Sequence, residues 1–231
     1  MSTRIRSYFL SSVFKKQIVA VTGLALVGFI LIHLAGNLLI LLGPEEFNNY
    51  AKVLHTLPEL LWAARLGLLT AFVLHVWFTI QVTIENKRAA GFERYAVQAD
   101  HGRTNFAKKY MILTGLFVFF FLFFHIADFA AADKSSARAT IDGDPYELYG
   151  LVWNSYTNPI RVLFYLGFVW CIGMHLSHGI QSLFQTIGFF HERYTPLLRN
   201  ASIAIGAVVA FGFSVIPLYI FIRSLVSGPP V

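Results

Sequence analysis

Five stretches without an acidic or basic (Lys/Arg) side chain divide this chain, and they limit its fold more than any other feature. They hold 28 residues between Lys16 and Glu45, 19 between Arg65 and Glu85, 18 between Lys109 and Asp128, 30 between Arg161 and Glu192, and 23 from Asn200 to Ile222. About 20 apolar residues in a helix cross the ~30 Å hydrocarbon core of a bilayer. Inside lipid the backbone must satisfy its own polar groups, so each stretch predicts a transmembrane helix. Runs this long, with no strict alternation, exclude a porin-like barrel. The expected fold is all-α: one membrane domain, residues 1–231, of five spans at about 16–43, 61–86, 107–131, 159–189 and 199–226.

Composition agrees. Only 13% of the residues are charged and 56% are hydrophobic, against about 25% charged in soluble domains. That excludes a soluble enzyme, a nucleic-acid-binding domain and a disordered chain. The first span is too long for a cleavable signal and lacks a small-residue cleavage site before Gly43-Pro44, so it is expected to be retained. One cysteine, Cys171, leaves no intramolecular disulfide and no thiolate cluster for an iron–sulfur centre.

The net charge of +6 is a topology signal once its residues are placed. The N-terminal arm and the connections after the second and fourth spans carry 12 basic residues, among them Arg88, Arg103, Lys108 and Lys109; the opposite side carries 6. The positive-inside rule puts the richer side and the N-terminus in the cytoplasm, and five spans then put the C-terminus outside. On the outer side, residues 45–60 are amphipathic and predict a short interfacial helix. Residues 129–158, with Gly143, Pro145 and several aromatics, are long enough to cap the bundle.

The histidines carry the chemistry. His33, His75, His125 and His175 fall one per span in the first four spans, with His178 as a neighbour of His175. Ionisable residues at membrane depth are rare and mostly functional. His33 lies 17 residues past Lys16 and His125 lies 16 past Lys109, both in the outer half. His75 is 10 residues short of Glu85 and His175 is 13 short of Gly188, both in the inner half. The two levels are expected to differ by roughly 5 to 12 Å at 1.5 Å per residue. Short repeats join the same partners. Thr22-Gly23-Leu24 and Thr114-Gly115-Leu116 place a glycine ten residues before His33 and His125. Leu66-Gly67 and Leu166-Gly167 place one eight residues before His75 and His175.

Two stacked histidine pairs among apolar helices have few uses. A transporter needs acidic partners at depth, and the five stretches contain no Asp or Glu. Zinc needs more ligands at each level. A haem iron needs two axial ligands, and helical bundles house such groups in their interiors. There is no C-x-x-C-H for covalent attachment. The residues therefore point to a bundle enclosing two b haems: an outer one on His33 and His125, an inner one on His75 and His175.

The sequence resembles the diheme cytochrome b membrane subunit of succinate dehydrogenase and fumarate reductase, of the single-subunit five-helix type. The similarity lies in TGLALVGFILIHLAGNL around His33, LGLLTAFVLH around His75, HGRTNFAKKYMILTG ahead of His125, and MHLSHGIQSLFQTIG around His175. The resemblance implies a membrane anchor in a bacterial cytoplasmic membrane. It also implies a flavoprotein subunit with FAD and an iron–sulfur subunit docked on the cytoplasmic face, and electrons passing through two haems to a membrane quinone, commonly menaquinone. Alternatives are a diheme cytochrome b of a hydrogenase or formate dehydrogenase, and a haem-free transporter or scaffold. For the quinone we expect a pocket by the outer haem, with His55 and Glu59 presented on one helical face and Asp128 as a further proton carrier. Arg88, Arg103, Lys108 and Lys109 are candidates to pair with haem propionates on the inner side.

Overall fold

The computed structural model describes residues 11–89, 110–141, 143–189 and 191–227. Among these, seven α-helices follow one another: α1 (Ser12–Leu38), α2 (Pro44–His55), α3 (Pro58–Ala89), α4 (Met111–His125), α5 (Glu147–Tyr156), α6 (Pro159–Thr186) and α7 (Thr195–Val226). Among the described residues five helical segments are long and apolar enough to cross a membrane: Ser12–Leu41, Pro58–Ala89, Met111–Ala130, Pro159–Thr186 and Thr195–Val226. Arg103, Lys108 and Lys109 lie outside the described residues, as does the expected start of the third span at 107.

Local chemistry sets the helix ends. The Ser11 hydroxyl accepts the Phe14 N–H at 3.2 Å and caps α1. Gly43 takes a φ of 133°, which favours glycine, and Pro44 then opens α2 with its ring preset for a helix. Asn158 caps α6 by accepting from the N–H groups of Ile160 (2.9 Å) and Arg161 (3.3 Å), and Gly188, at φ 92°, follows its end. The spans run past the uncharged stretches because lysine, arginine and glutamate extend the helices into the interface. Thus α3 takes in both Glu59 and Arg88.

The bundle is inside-out, as lipid requires. Val21, Ile32, Trp77, Phe120, Leu163 and Phe211 are all exposed on the spans. The tightest helix pair is α6 with α7, where glycine faces glycine. A Cβ on Gly173 would lie 2.6 Å from the Gly206 carbonyl oxygen, and one on Gly206 would meet the Gly173 carbonyl in turn. Backbones approach this closely in membranes where small residues face each other. α1 packs on α3, α6 and α7, and α4 packs on α6, while no residue of α3 is fully buried.

One end of the bundle, the capped end, is closed by α2, α5 and a two-residue hairpin pairing Thr140–Ile141 with Asp144–Pro145. The main apolar core lies here and includes Ile40, Phe47, Tyr149, Trp153, Tyr156 and Ile220. Asn48 of α2 clips the cap shut. Its amide donates to the Tyr146 carbonyl and its oxygen accepts the Tyr149 N–H, both at 3.0 Å. The other, open end carries the start of α1 and the end of α3, joined by a Lys15–Glu85 ion pair.

Candidate functional site

The histidines gather as two pairs. Towards the capped end, the rings of His33 (α1) and His125 (α4) stand 5.7 Å apart at 86°. Phe29 stacks on His33 at 5.2 Å, and Phe121 and Phe129 flank His125 at 5.5 and 5.6 Å. The Asn37 amide nitrogen lies 3.2 Å from His33 Nδ1 and donates to the His33 carbonyl. Among the described residues His125 Nδ1 is buried without a hydrogen-bond partner.

Towards the open end, His75 (α3) and His175 (α6) lie within electrostatic reach of each other, and His178 is near His175. His75 Nδ1 sits 3.1 Å from the Val19 carbonyl and 3.2 Å from the Thr22 hydroxyl, both on α1. His175 repeats this on α4: its Nδ1 is 3.3 Å from the Thr114 hydroxyl, with the Met111 backbone nearby. A carbonyl only accepts, so Nδ1 of His75 carries the proton and Nε2 keeps its lone pair.

The separation of the levels corrects the sequence expectation. His75 packs on Thr22 and Gly23, and His33 lies ten residues beyond Gly23 on the same helix. His175 packs on Thr114 and Gly115, with His125 ten residues further along α4. Ten helical residues rise about 15 Å, more than the 5 to 12 Å inferred from counting. Those counts run from charge boundaries, and the helices overrun these boundaries unequally.

The residues fit a porphyrin held by histidine pairs. Two imidazoles that shared one ion at about 2 Å each would have ring centres about 6 Å apart, and the capped-end pair is at 5.7 Å. At the open-end pair Nε2 of His75 is left for a metal. Gly28, between the two levels on α1, has no heavy atom within 4 Å of where a side chain would begin. Among the described residues no three His, Cys, Asp or Glu side chains gather into a metal-binding group.

The expected quinone residues separate. α2 ends at His55 and α3 starts at Pro58, so His55 and Glu59 do not share a helix. Pro58 cannot continue α2, and Thr56 turns the chain. His55 lines a cleft of ≈ 420 Å³ with Ala51, Lys52, Thr56, Lys134, Glu147 and Leu148; Glu59 does not. Asp128 follows His125 within a π-helical turn, Ile126–Ala130. Its carboxylate accepts from Arg161 (3.1 Å) and the Tyr165 hydroxyl (2.9 Å) and pairs with Arg138 at 3.5 Å. With both oxygens engaged, it ties α4, α6 and the cap together. Arg88 is exposed in the last turn of α3, at the open end.

Sequence reasoning missed Thr22, Thr114, Val19 and Met111 as partners of the open-end histidines. The signal is present in the repeated Thr-Gly-Leu. By spacing alone that repeat reads as a ruler for the histidine on its own helix, whereas it serves the histidine of a neighbouring one.

Fold and site together define a polytopic helical membrane protein organised around paired histidines. Over residues 18–103 and 109–216 the chain matches the succinate dehydrogenase/fumarate reductase transmembrane subunit family, and it belongs to that family. No curated protein and no solved structure gives a significant match. The chain is thus a multi-pass membrane-anchor subunit that associates with the catalytic subunits of such a complex. That membership sets aside the hydrogenase, formate dehydrogenase and transporter alternatives.

Proposed function

We propose that this anchor conducts electrons between an iron–sulfur subunit at its open end and a membrane quinone at its capped end, through two b haems. The observation that carries the reading is the pair of histidines at each of two levels, in a chain of this family. Bound haem supplies one-electron redox chemistry. The chain's own residues do the rest. His33 and His125 hold one iron, and His75 and His175 the other. Phe29, Phe121 and Phe129 exclude water from the capped-end site.

The catalytic partners are a flavoprotein subunit with FAD, where the dicarboxylate reacts, and an iron–sulfur subunit docked on the basic open end. We place that end, and the N-terminus, on the cytoplasmic side of a bacterial membrane because of its excess of Lys and Arg. Arg88, Arg103, Lys108 and Lys109 are proposed partners for carboxylates there, from propionates or from the docked subunit. At the capped end the His55 cleft is the proposed site of the quinone, for which the expected type is menaquinone. His55 there exchanges protons with the adjoining water, and Glu59 stands in the first turn of the next helix.

Spectra and variants test this together. Reduced-minus-oxidised spectra of the purified protein are expected to show b haem at two per chain. His33→Ala or His125→Ala should remove or alter one haem, and His75→Ala or His175→Ala the other. A haem-free chain, or a single haem lost in all four variants, overturns the reading. For the quinone site, His55→Ala is expected to lose quinone turnover with both haems retained, and full turnover moves the site elsewhere.

A further inference from the structure

We propose that Thr22-Gly23 and Thr114-Gly115 form a duplicated cradle that fixes the ring orientation and tautomer of His75 and His175. The inference rests on the haem reading above and adds positioning residues to it.

The two cradles match closely. In each, a carbonyl-bearing residue, a threonine and a glycine occupy positions i, i+3 and i+4, one face of a helix. They are Val19, Thr22 and Gly23 on α1, and Met111, Thr114 and Gly115 on α4. The Thr22 hydroxyl donates to the Ile18 carbonyl at 2.7 Å, so its oxygen presents a lone pair to His75 Nδ1 at 3.2 Å. The Thr114 hydroxyl donates to the carbonyls of Tyr110 (3.1 Å) and Met111 (3.0 Å) and faces His175 Nδ1 at 3.3 Å. Each glycine admits the edge of the ring. A Cβ on Gly23 would lie 3.1 Å from His75 Cε1, and one on Gly115 would lie 3.1 Å from His175 Cε1.

Threonine in a membrane helix commonly back-bonds to its own helix, and these two do. That habit does not account for both hydroxyl oxygens meeting Nδ1 of a histidine on a neighbouring helix, each beside a glycine whose Cβ would crowd the ring at 3.1 Å. The capped-end pair lacks the arrangement: among the described residues His125 Nδ1 has no partner, and His33 Nδ1 faces an amide nitrogen. Acceptors on Nδ1–H fix the tautomer and make Nε2 a stronger donor. A stronger donor favours the more positive, oxidised iron. Removing the hydroxyl should therefore raise the midpoint potential of the open-end haem and leave the other unchanged.

The experiment uses the full-length chain in detergent, as wild type and as Thr22→Val, Thr114→Val, Thr22→Ser and Thr114→Ser. Haem content, the midpoint potential of each haem and the low-spin electron paramagnetic resonance signals are measured. Nitrogen-15 spectra of haem-free protein report the histidine tautomers directly. Each valine variant is expected to show a positive shift of one potential, a displaced signal from that haem alone, and a displaced Nδ1 resonance at the matching histidine. The serine variants are expected to restore all three. Loss of that one haem with valine, restored by serine, also supports the cradle. Full haem content with unchanged potentials and signals overturns it and leaves the haem reading intact. Equal loss of both haems with valine and serine shows that the threonines only hold the fold, and overturns it too. A haem-free wild type removes both.

Discussion

At the scale of single residues, Gly23 and Gly67 both lie on membrane spans, yet a methyl group on Gly23 would press on His75, and one on Gly67 would meet nothing within 4 Å. Gly23→Ala is expected to disturb the open-end haem spectrum, and Gly67→Ala to leave it as in wild type. Difference spectra of the two variants decide this. Asp128 gives a second contrast. It is legible in the sequence as an acid near His125, which suggests a proton carrier, but its partners Arg161 and Tyr165 lie more than thirty residues away. No spacing rule reaches them. Asp128→Asn replaces charge-assisted hydrogen bonds, which are worth about 1.5 to 3 kcal/mol each. It should lower the thermal unfolding midpoint while Arg138 and Arg161 are left without their carboxylate.

At the scale of elements, the spans are readable because lipid leaves the backbone one solution, and a charge-free run of sufficient length announces it. The amphipathic helix α2 is readable from its pattern. Helix α5 is not, since the segment 129–158 is rich in turn formers and its helix is stabilised by burial of Tyr149, Trp153 and Tyr156 in the cap. Burial pushes the Tyr149 hydroxyl up to about 12. The folded chain keeps a proton that the unfolded chain releases from about pH 10, so the stabilisation is full below that pH and fades towards pH 12. The cap should loosen over that window, measured as Trp153 fluorescence, and Tyr149→Phe should weaken the alkaline transition. The α6–α7 contact makes an opposite demand, for emptiness. Gly206→Ala must push the facing backbones apart, and overpacking of this kind costs about 1 to 3 kcal/mol. Resistance to unfolding in detergent should fall accordingly.

At the scale of the molecule, the two ends differ in kind. The open end is basic and tied by Lys15–Glu85, while the capped end is closed by the core around Tyr149. Cross-linking of the iron–sulfur subunit is therefore expected at residues near Lys15 and Arg88 and not at Lys134; recovery of cross-links at Lys134 reverses the proposed orientation. The Asn48 clip has one more consequence, in time. Its oxygen waits for an amide 101 residues further along the chain. Ribosomes add roughly 5 to 20 residues per second, so Asn48 waits on the order of 5 to 20 seconds before the partner it latches has been made. Three of the five spans have therefore been synthesised before the clip can close.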